Sequence, residues 1–264
     1  MQTYFQQVGS TRLRVASTLS DNEGIPLLVF NGIGAGLEVL EPFLRHLPVP
    51  SLLFDMPGVG GSQGRGLPML PGRMSYYANL ANQFLEENDI ETANIMGVSW
   101  GGALAQEFSR RYRKRCHKLI LAATSTGQIS MPPRLSVMLH MATPLRYLNP
   151  NYFKNIAGDL YGGDFRTKDN VRRKHTKRMT PPATLGYLQQ LTAMIGWTSV
   201  FWLHDLDVET LVMAGEDDPI IPMMNARFLA RRLPNARLET FDCGHLFLLT
   251  RREKACELIT NFLD

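Results

Sequence analysis

Three residues far apart in the sequence are of the types that cleave a carbonyl compound through a covalent intermediate. Ser99 stands between glycines in Gly97-Val98-Ser99-Trp100-Gly101-Gly102. Asp218 lies in Gly215-Glu216-Asp217-Asp218-Pro219, just ahead of Ile220-Ile221-Pro222. His245 closes Phe241-Asp242-Cys243-Gly244-His245. A serine hydroxyl is a weak nucleophile until a base takes its proton, and an imidazole serves better as that base when a carboxylate fixes its tautomer. Asp217 is the neighbour most easily confused with Asp218.

The serine has the setting such chemistry needs. The apolar run Asn94-Ile95-Met96 climbs to Gly97, and Ala103-Leu104-Ala105-Gln106-Glu107-Phe108 reads as helix, so G-x-S-x-G falls at a strand-to-helix turn. A turn this tight strains the serine backbone and leaves no room for side chains at Gly97 and Gly101. It also holds the hydroxyl at a helix N-terminus, where free N–H groups favour developing negative charge. A tetrahedral intermediate needs two such donors. The Trp100 N–H is expected to be one. The Ile33 N–H, in the loop Asn31-Gly32-Ile33-Gly34, is expected to be the other.

Positioning these residues requires a sheet whose strands all end at one rim. Residues 2–17 read as two short strands joined at Gly9-Ser10, a hairpin at the sheet edge. The turn Asp21–Gly24 leads to Pro26–Phe30, a continuous apolar run suited to a strand buried on both faces. A helix is expected near Glu38–His46, a strand at Ser51–Phe54, and a turn-rich loop from Asp55 to Ser62. Residues 63–73 are rich in Gly and Pro and read as irregular. The spacing of Tyr77, Leu80, Ala81 and Phe84 predicts a helix over about Ser75–Asn88, with Ser75 as N-cap. After the elbow comes a strand at Lys118–Ala123. The alternation resumes with a strand at Thr210–Ala214, a helix near Met223–Arg232, a strand at Arg237–Phe241 and a closing helix over Arg251–Leu263. Such strand–helix alternation predicts an α/β fold: a mostly parallel, twisted sheet flanked by helices. Ser99, Asp218 and His245 each fall just past a strand of it.

Between about Thr126 and Asp205 the rhythm breaks. Prolines interrupt it, no strand-like run occurs, and it is oily, with Met131, Met138, Met141, Tyr147, Trp197 and Trp202 among others. The pattern predicts a helical cap, 126–205, inserted before the strand that carries the acid; residues 1–125 and 206–264 form the core. Asn31, Gly32, Met138, Trp197, Trp202 and Leu246 are the substrate-binding candidates. The other five histidines, His46, His117, His140, His175 and His204, are read as structural.

Bulk properties narrow the class. The chain has 264 residues, 44% of them hydrophobic and 20% charged, as in ordinary globular proteins. Cys116, Cys243 and Cys256 lie far apart with no metal-ligand spacing and are expected to be reduced thiols in a cytoplasmic protein. No export signal is visible at Met1–Gln7, and no apolar run nears the ~20 residues that span a bilayer. The net charge of +4 sits partly in runs at 110–115 and 172–178, which read as solvated helix faces rather than a nucleic-acid surface. No metal and no cofactor are called for.

With those residues in place, the chain resembles the α/β-hydrolase superfamily from end to end, and within it the intracellular depolymerases of medium-chain-length poly(3-hydroxyalkanoate). The resemblance is carried by Val29-Phe30-Asn31-Gly32-Ile33-Gly34-Ala35, Asp55-Met56-Pro57-Gly58-Val59-Gly60-Gly61-Ser62 and the elbow through Gln106. It continues in Leu119–Thr124, Tyr161-Gly162-Gly163, Gly196-Trp197-Thr198-Ser199, Trp202-Leu203-His204 and Gly244-His245-Leu246-Phe247-Leu248. It implies that Ser99, Asp218 and His245 form the triad of a serine ester hydrolase. It also implies a hydrophobic polyester or medium-chain ester substrate and a cytoplasmic place at the storage-granule surface.

Other readings keep the same triad: a small-ester esterase, a perhydrolase, a carbon–carbon bond hydrolase, or a hydrolase-fold receptor that binds without turnover. A proline iminopeptidase-like enzyme would hold a substrate ammonium with cap glutamates. From 126 to 205 this chain has no glutamate, and ten Arg or Lys face four Asp. Epoxide hydrolases and haloalkane dehalogenases need an aspartate where Ser99 stands, and polyhydroxyalkanoate synthases a cysteine.

Overall fold

Eight strands form one sheet in the order β1-β2-β4-β3-β5-β6-β7-β8. The structure, a computed structural model, describes residues 1–19, 24–64 and 72–264. The expected turn at Asp21–Gly24 and the irregular stretch at 63–73 therefore fall largely outside the described residues. At one edge β1 (Gln2–Val8) and β2 (Thr11–Ser17) pair as the antiparallel hairpin read from the sequence. Strand β2 also runs antiparallel to β4 (Ser51–Phe54). From β4 onward every pairing is parallel, through β3 (Leu27–Phe30), β5 (Ala93–Val98), β6 (Cys116–Ala122), β7 (Thr210–Gly215) and β8 (Ala236–Phe241).

The central strands are apolar without interruption because both faces are covered. Leu28, Phe30 and Ile95 enter one hydrophobic core with α2 (Met74–Glu86), α3 (Trp100–Arg111) and α10 (Met223–Arg232). Alternate residues Leu27, Val29, Met96 and Val98 enter a second core on the opposite face, with α1 (Leu37–Leu44), α11 (Phe247–Thr250) and α12 (Arg252–Leu263). Helix α2 begins one residue earlier than the sequence predicts. Arg73 is its N-cap, without a side-chain bond, and Ser75 lies inside the helix.

Between β6 and β7 the chain forms α4 (Leu135–Met141), α5 (Leu145–Leu148), α6 (Pro150–Tyr161), α7 (Asp164–Thr167), α8 (Asp169–Thr176) and α9 (Thr184–Ala193). Helices α4, α6 and α7 share a small core of Val137, Phe153, Ile156, Leu160, Tyr161 and Phe165, closed from the sheet side by Ile220. The two ends of this helical segment meet in a short antiparallel bridge, Gly127 against Thr198. Among the described residues no helix is long and apolar enough to cross a membrane.

Candidate functional site

Every sequence-predicted reacting group follows the carboxyl end of a parallel strand, the rim where open α/β sheets hold ligands. Ser99 leaves β5 with φ +56° and ψ −116°, conformations that L residues seldom adopt, and α3 begins at the next residue. The strain persists because the neighbours leave no alternative. A Cβ on Gly97 would lie 2.2 Å from the Gly101 carbonyl oxygen, and one on Gly101 2.1 Å from that of Phe30. Strand and helix thus touch backbone to backbone, and the serine is lifted into the rim.

His245 and Asp218 are joined by a 2.7 Å bond between Nδ1 and a carboxylate oxygen, with both residues buried. The other Asp218 oxygen accepts the Ile220 and Ile221 N–H groups at 2.9 Å each, so the carboxylate cannot swing away. Asp217 faces outward instead. Its carboxylate is bound by Arg166 at 2.8 and 3.1 Å and by the Gly163 N–H, and the Arg166 hydrogen bonds lower its pKa. The His245 backbone N–H donates 2.8 Å to the Tyr161 carbonyl, and the Tyr161 ring stacks on the imidazole at 6.2 Å. The Tyr-Gly-Gly turn makes this contact: a Cβ on Gly162 would lie 1.9 Å from the Asp217 carbonyl oxygen.

Ser99 and His245 line one narrow cavity of about 50 Å³, under the helical segment. Among the described residues the Ser99 hydroxyl has no hydrogen bond, so the two groups share the cavity without yet being bonded. Asn31, Gly32 and Ile33 form another wall. The Asn31 side chain closes its own loop, donating to the Gly36 carbonyl and accepting from the Gly32 N–H, both at 2.9 Å. Neither the Ile33 nor the Trp100 N–H has a backbone acceptor among the described residues. Leu246 lies against the same space.

This architecture matches known proteins along most of its length. Residues 25–251 fit the family model for the alpha/beta hydrolase fold. The chain belongs to the alpha/beta hydrolase family. It is 46% identical over 241 residues to the poly(3-hydroxyalkanoate) depolymerase of Ectopseudomonas oleovorans, covering 90% of this chain and 84% of that protein. A 2-hydroxy-6-oxononadienedioate/2-hydroxy-6-oxononatrienedioate hydrolase of a Pseudomonas species is 26% identical, covering 90% and 87%. Among solved structures, the enol-lactonase of Burkholderia xenovorans LB400 superimposes with a TM-score of 0.84 at 17% identity, over 98% of this chain and 99% of that one. The fold and the family resemblance read from the sequence both hold.

Three substrate-binding candidates of this hydrolase do not line the cavity. Met138 points outward from α4 and is 46% exposed. Trp197 and Trp202 pack edge to face at the neck of the helical segment, 6.1 Å apart. There the Trp197 indole N–H donates to Glu107, and Arg110 covers Trp202. Sequence alone could not separate neck from cavity lining, because both are oily.

Among the cavity residues that escaped the sequence reading of the site are one cation and three rings: Arg146, Tyr147, Tyr161 and His175. Arg146 and Tyr147 sit in Leu145-Arg146-Tyr147-Leu148, where a charge among apolar residues was the available signal. His175, read as structural, is buried among Phe153, Tyr161 and Phe165 but reaches the cavity. Burial, followed by the charges of Arg178 and Arg146, depresses its pKa to about 3. His204, by contrast, lies exposed beside Asp205.

Proposed function

We propose that this hydrolase is a serine carboxylic-ester hydrolase that cleaves the 3-hydroxyacyl ester bonds of medium-chain poly(3-hydroxyalkanoate) through an acyl-enzyme on Ser99. The observation that carries the reading is the buried His245–Asp218 bond opening onto the cavity that Ser99 enters from its strained elbow. The 46% identity to a poly(3-hydroxyalkanoate) depolymerase supports the substrate class.

In this mechanism His245 removes the Ser99 proton as the oxygen attacks the ester carbonyl. Asp218 holds the imidazole in the tautomer that accepts at Nε2 and stabilises its cation. The Ile33 and Trp100 N–H groups receive the oxyanion. His245 then protonates the leaving 3-hydroxyl, and water, activated by the same imidazole, releases the acyl group. Residues 126–205 act as a cap whose apolar side chains cover the alkyl group, each buried CH₂ contributing ~0.8 kcal/mol. Exposed apolar residues of that segment, including Leu135, Met138 and Leu139, suit contact with a polyester granule in the cytoplasm.

The test is turbidity clearing of suspended medium-chain and short-chain polymers, run beside a nitrophenyl ester of medium chain length. The medium-chain suspension should clear and the short-chain one persist. Ser99→Ala should lose all turnover while melting at the wild-type temperature; activity retained in that variant overturns the assignment.

A further inference from the structure

Most basic side chains of the helical segment reach solvent or an acid. Arg166 meets Asp159 and Asp217, Lys168 meets Asp164, and Arg172 meets Asp169. Arg146 does neither. It is only 2% exposed, and among the described residues no carboxylate lies within ion-pair distance of it. Its Nη1 donates to the Tyr187 hydroxyl at 2.8 Å, and its guanidinium lies 4.6 Å from the Tyr147 ring centroid and 5.3 Å from that of Tyr187. Its Nε is buried with no hydrogen-bond partner, and so is the Nδ1 of His175.

The Tyr187 hydroxyl, the Tyr161 hydroxyl and two ring faces offset part of the cost of burying a full charge, but none of them brings the opposite charge. Lysine or histidine could shed the proton in such a place, but arginine cannot. The cavity that holds Ser99 and His245 is therefore walled on one side by a permanent cation with no acid beside it among the described residues. Its planar fork is shaped for two parallel bonds to a carboxylate.

We propose that Arg146 receives a free carboxylate of the substrate, and that the preferred ester is one whose alcohol part is a 3-hydroxy acid ending in that carboxylate. This rests on the ester-hydrolase reading and adds a direction to it. In a 3-hydroxyacyl chain the carboxyl of the acyl part is already consumed in the ester. Only the leaving 3-hydroxy acid can offer a charge, two carbons beyond the ester oxygen. With its carboxylate on Arg146 and the ester carbonyl at Ser99, the scissile bond is the last one at the carboxyl end. The Ser99 oxygen bonds to the carbonyl carbon and the carbon–oxygen bond to the 3-hydroxy acid breaks. That oxygen takes the proton from His245. Water then bonds to the acyl carbon, its proton passing through His245 to Ser99. One ester and one water give two hydroxy acids, one of them a released monomer. An internal ester has no charge to present and leaves Arg146 desolvated and unpaired, so it is the poorer substrate.

The experiment compares the 3-hydroxyoctanoyl-3-hydroxyoctanoate dimer with its methyl ester, which differs only in the terminal charge. Wild type should favour the free acid in kcat/KM by roughly tenfold to a hundredfold, the range expected of a charge-assisted hydrogen bond. Arg146→Met should bring that ratio close to one, and Arg146→Lys should restore part of it. Both substrates are measured on the same preparation, so any loss of folded protein cancels. A wild-type ratio near one, or a ratio unchanged in Arg146→Met, overturns the proposal. A second readout needs no turnover: 3-hydroxyoctanoate should bind wild type and octan-2-ol should not, by titration calorimetry. Equal binding of the two overturns the carboxylate site. If no ester is hydrolysed yet 3-hydroxyoctanoate still binds through Arg146, it is the hydrolase reading that fails. Methyl-esterifying the carboxyl ends of suspended polymer separates the sources: monomer release falls if polymer ends are taken and is unchanged if soluble oligomers are.

Discussion

At the scale of single residues, Asp217 and Asp218 differ only in what surrounds them. Asp218 is buried with one oxygen on the imidazole and the other on two backbone N–H groups, while Asp217 spends both oxygens on Arg166. Asp218→Asn keeps the shape but presents an amide to His245 Nδ1 and favours the wrong tautomer. Its kcat on a medium-chain nitrophenyl ester should fall by about 10⁴-fold, the cost seen for the same change in serine proteases. Asp217→Asn should stay within about threefold, because an exposed ion pair contributes little. Steady-state kinetics on the two variants decides which aspartate orients the base. His175 gives a second residue-scale expectation. Its folded pKa of about 3 lies below its ordinary value of 6.5 because burial disfavours the cation. Between those values the unfolded chain binds a proton that the folded one does not, so stability falls as pH drops below about 6.5. Replacing it by Phe, which suits the ring cluster of Phe153, Tyr161 and Phe165, removes this dependence. In urea unfolding, the midpoint at pH 5, relative to that at pH 7, should be lower in wild type than in His175→Phe.

At the scale of elements, the elbow shows why so much of the core was legible in the sequence. A strand buried on both faces must be apolar throughout, and a strand-to-helix turn with backbone contact must carry glycine at Gly97 and Gly101. Both demands are local, so both are written in adjacent residues. Gly101→Ala puts a methyl group 2.1 Å from the Phe30 carbonyl oxygen and 2.6 Å from that of Asn31, and Phe30 is held in β3 by its pairing with β5. It should cost about 3 kcal/mol or more, read as a lowered melting temperature or loss of soluble protein. The helical segment was less legible for the opposite reason. Which of its oily residues face the cavity depends on how six short helices pack, and that is set by contacts distant in sequence. Trp197 and Trp202 serve the neck because Gly127 and Thr198 pair there. Arg146 faces the cavity because α5 is laid against the loop after β3, where the Tyr147 hydroxyl meets the Ile33 carbonyl. Neither pairing leaves a periodic signature.

At the scale of the whole molecule, the site as it stands is narrow. A cavity of about 50 Å³ is several-fold smaller than the roughly 300 Å³ at which small-molecule sites begin, so a medium-chain ester enters only if the proposed cap moves. Among the bonds that oppose this movement, one group lies on and beside the loop that holds the Ile33 N–H. The Tyr147 hydroxyl donates 2.7 Å to the Ile33 carbonyl, Gln190 accepts the Gly34 N–H at 2.7 Å, and the Gln190 carbonyl accepts the Trp100 indole N–H at 2.8 Å. In the proposed mechanism, opening frees the loop that holds the Ile33 N–H in the same motion that admits substrate. Tyr147→Phe keeps the ring beside Arg146 and deletes one of these bonds. A hydrogen bond contributes about 1 kcal/mol net, so local opening should become more frequent by up to about fivefold. Amide hydrogen exchange should accelerate by that factor in Leu145–Leu148 and Thr184–Ala193 and stay unchanged in α3 and α12. Acceleration shared by all four helices would mean that the contact holds up the whole fold, and that the cap does not move as a unit of its own.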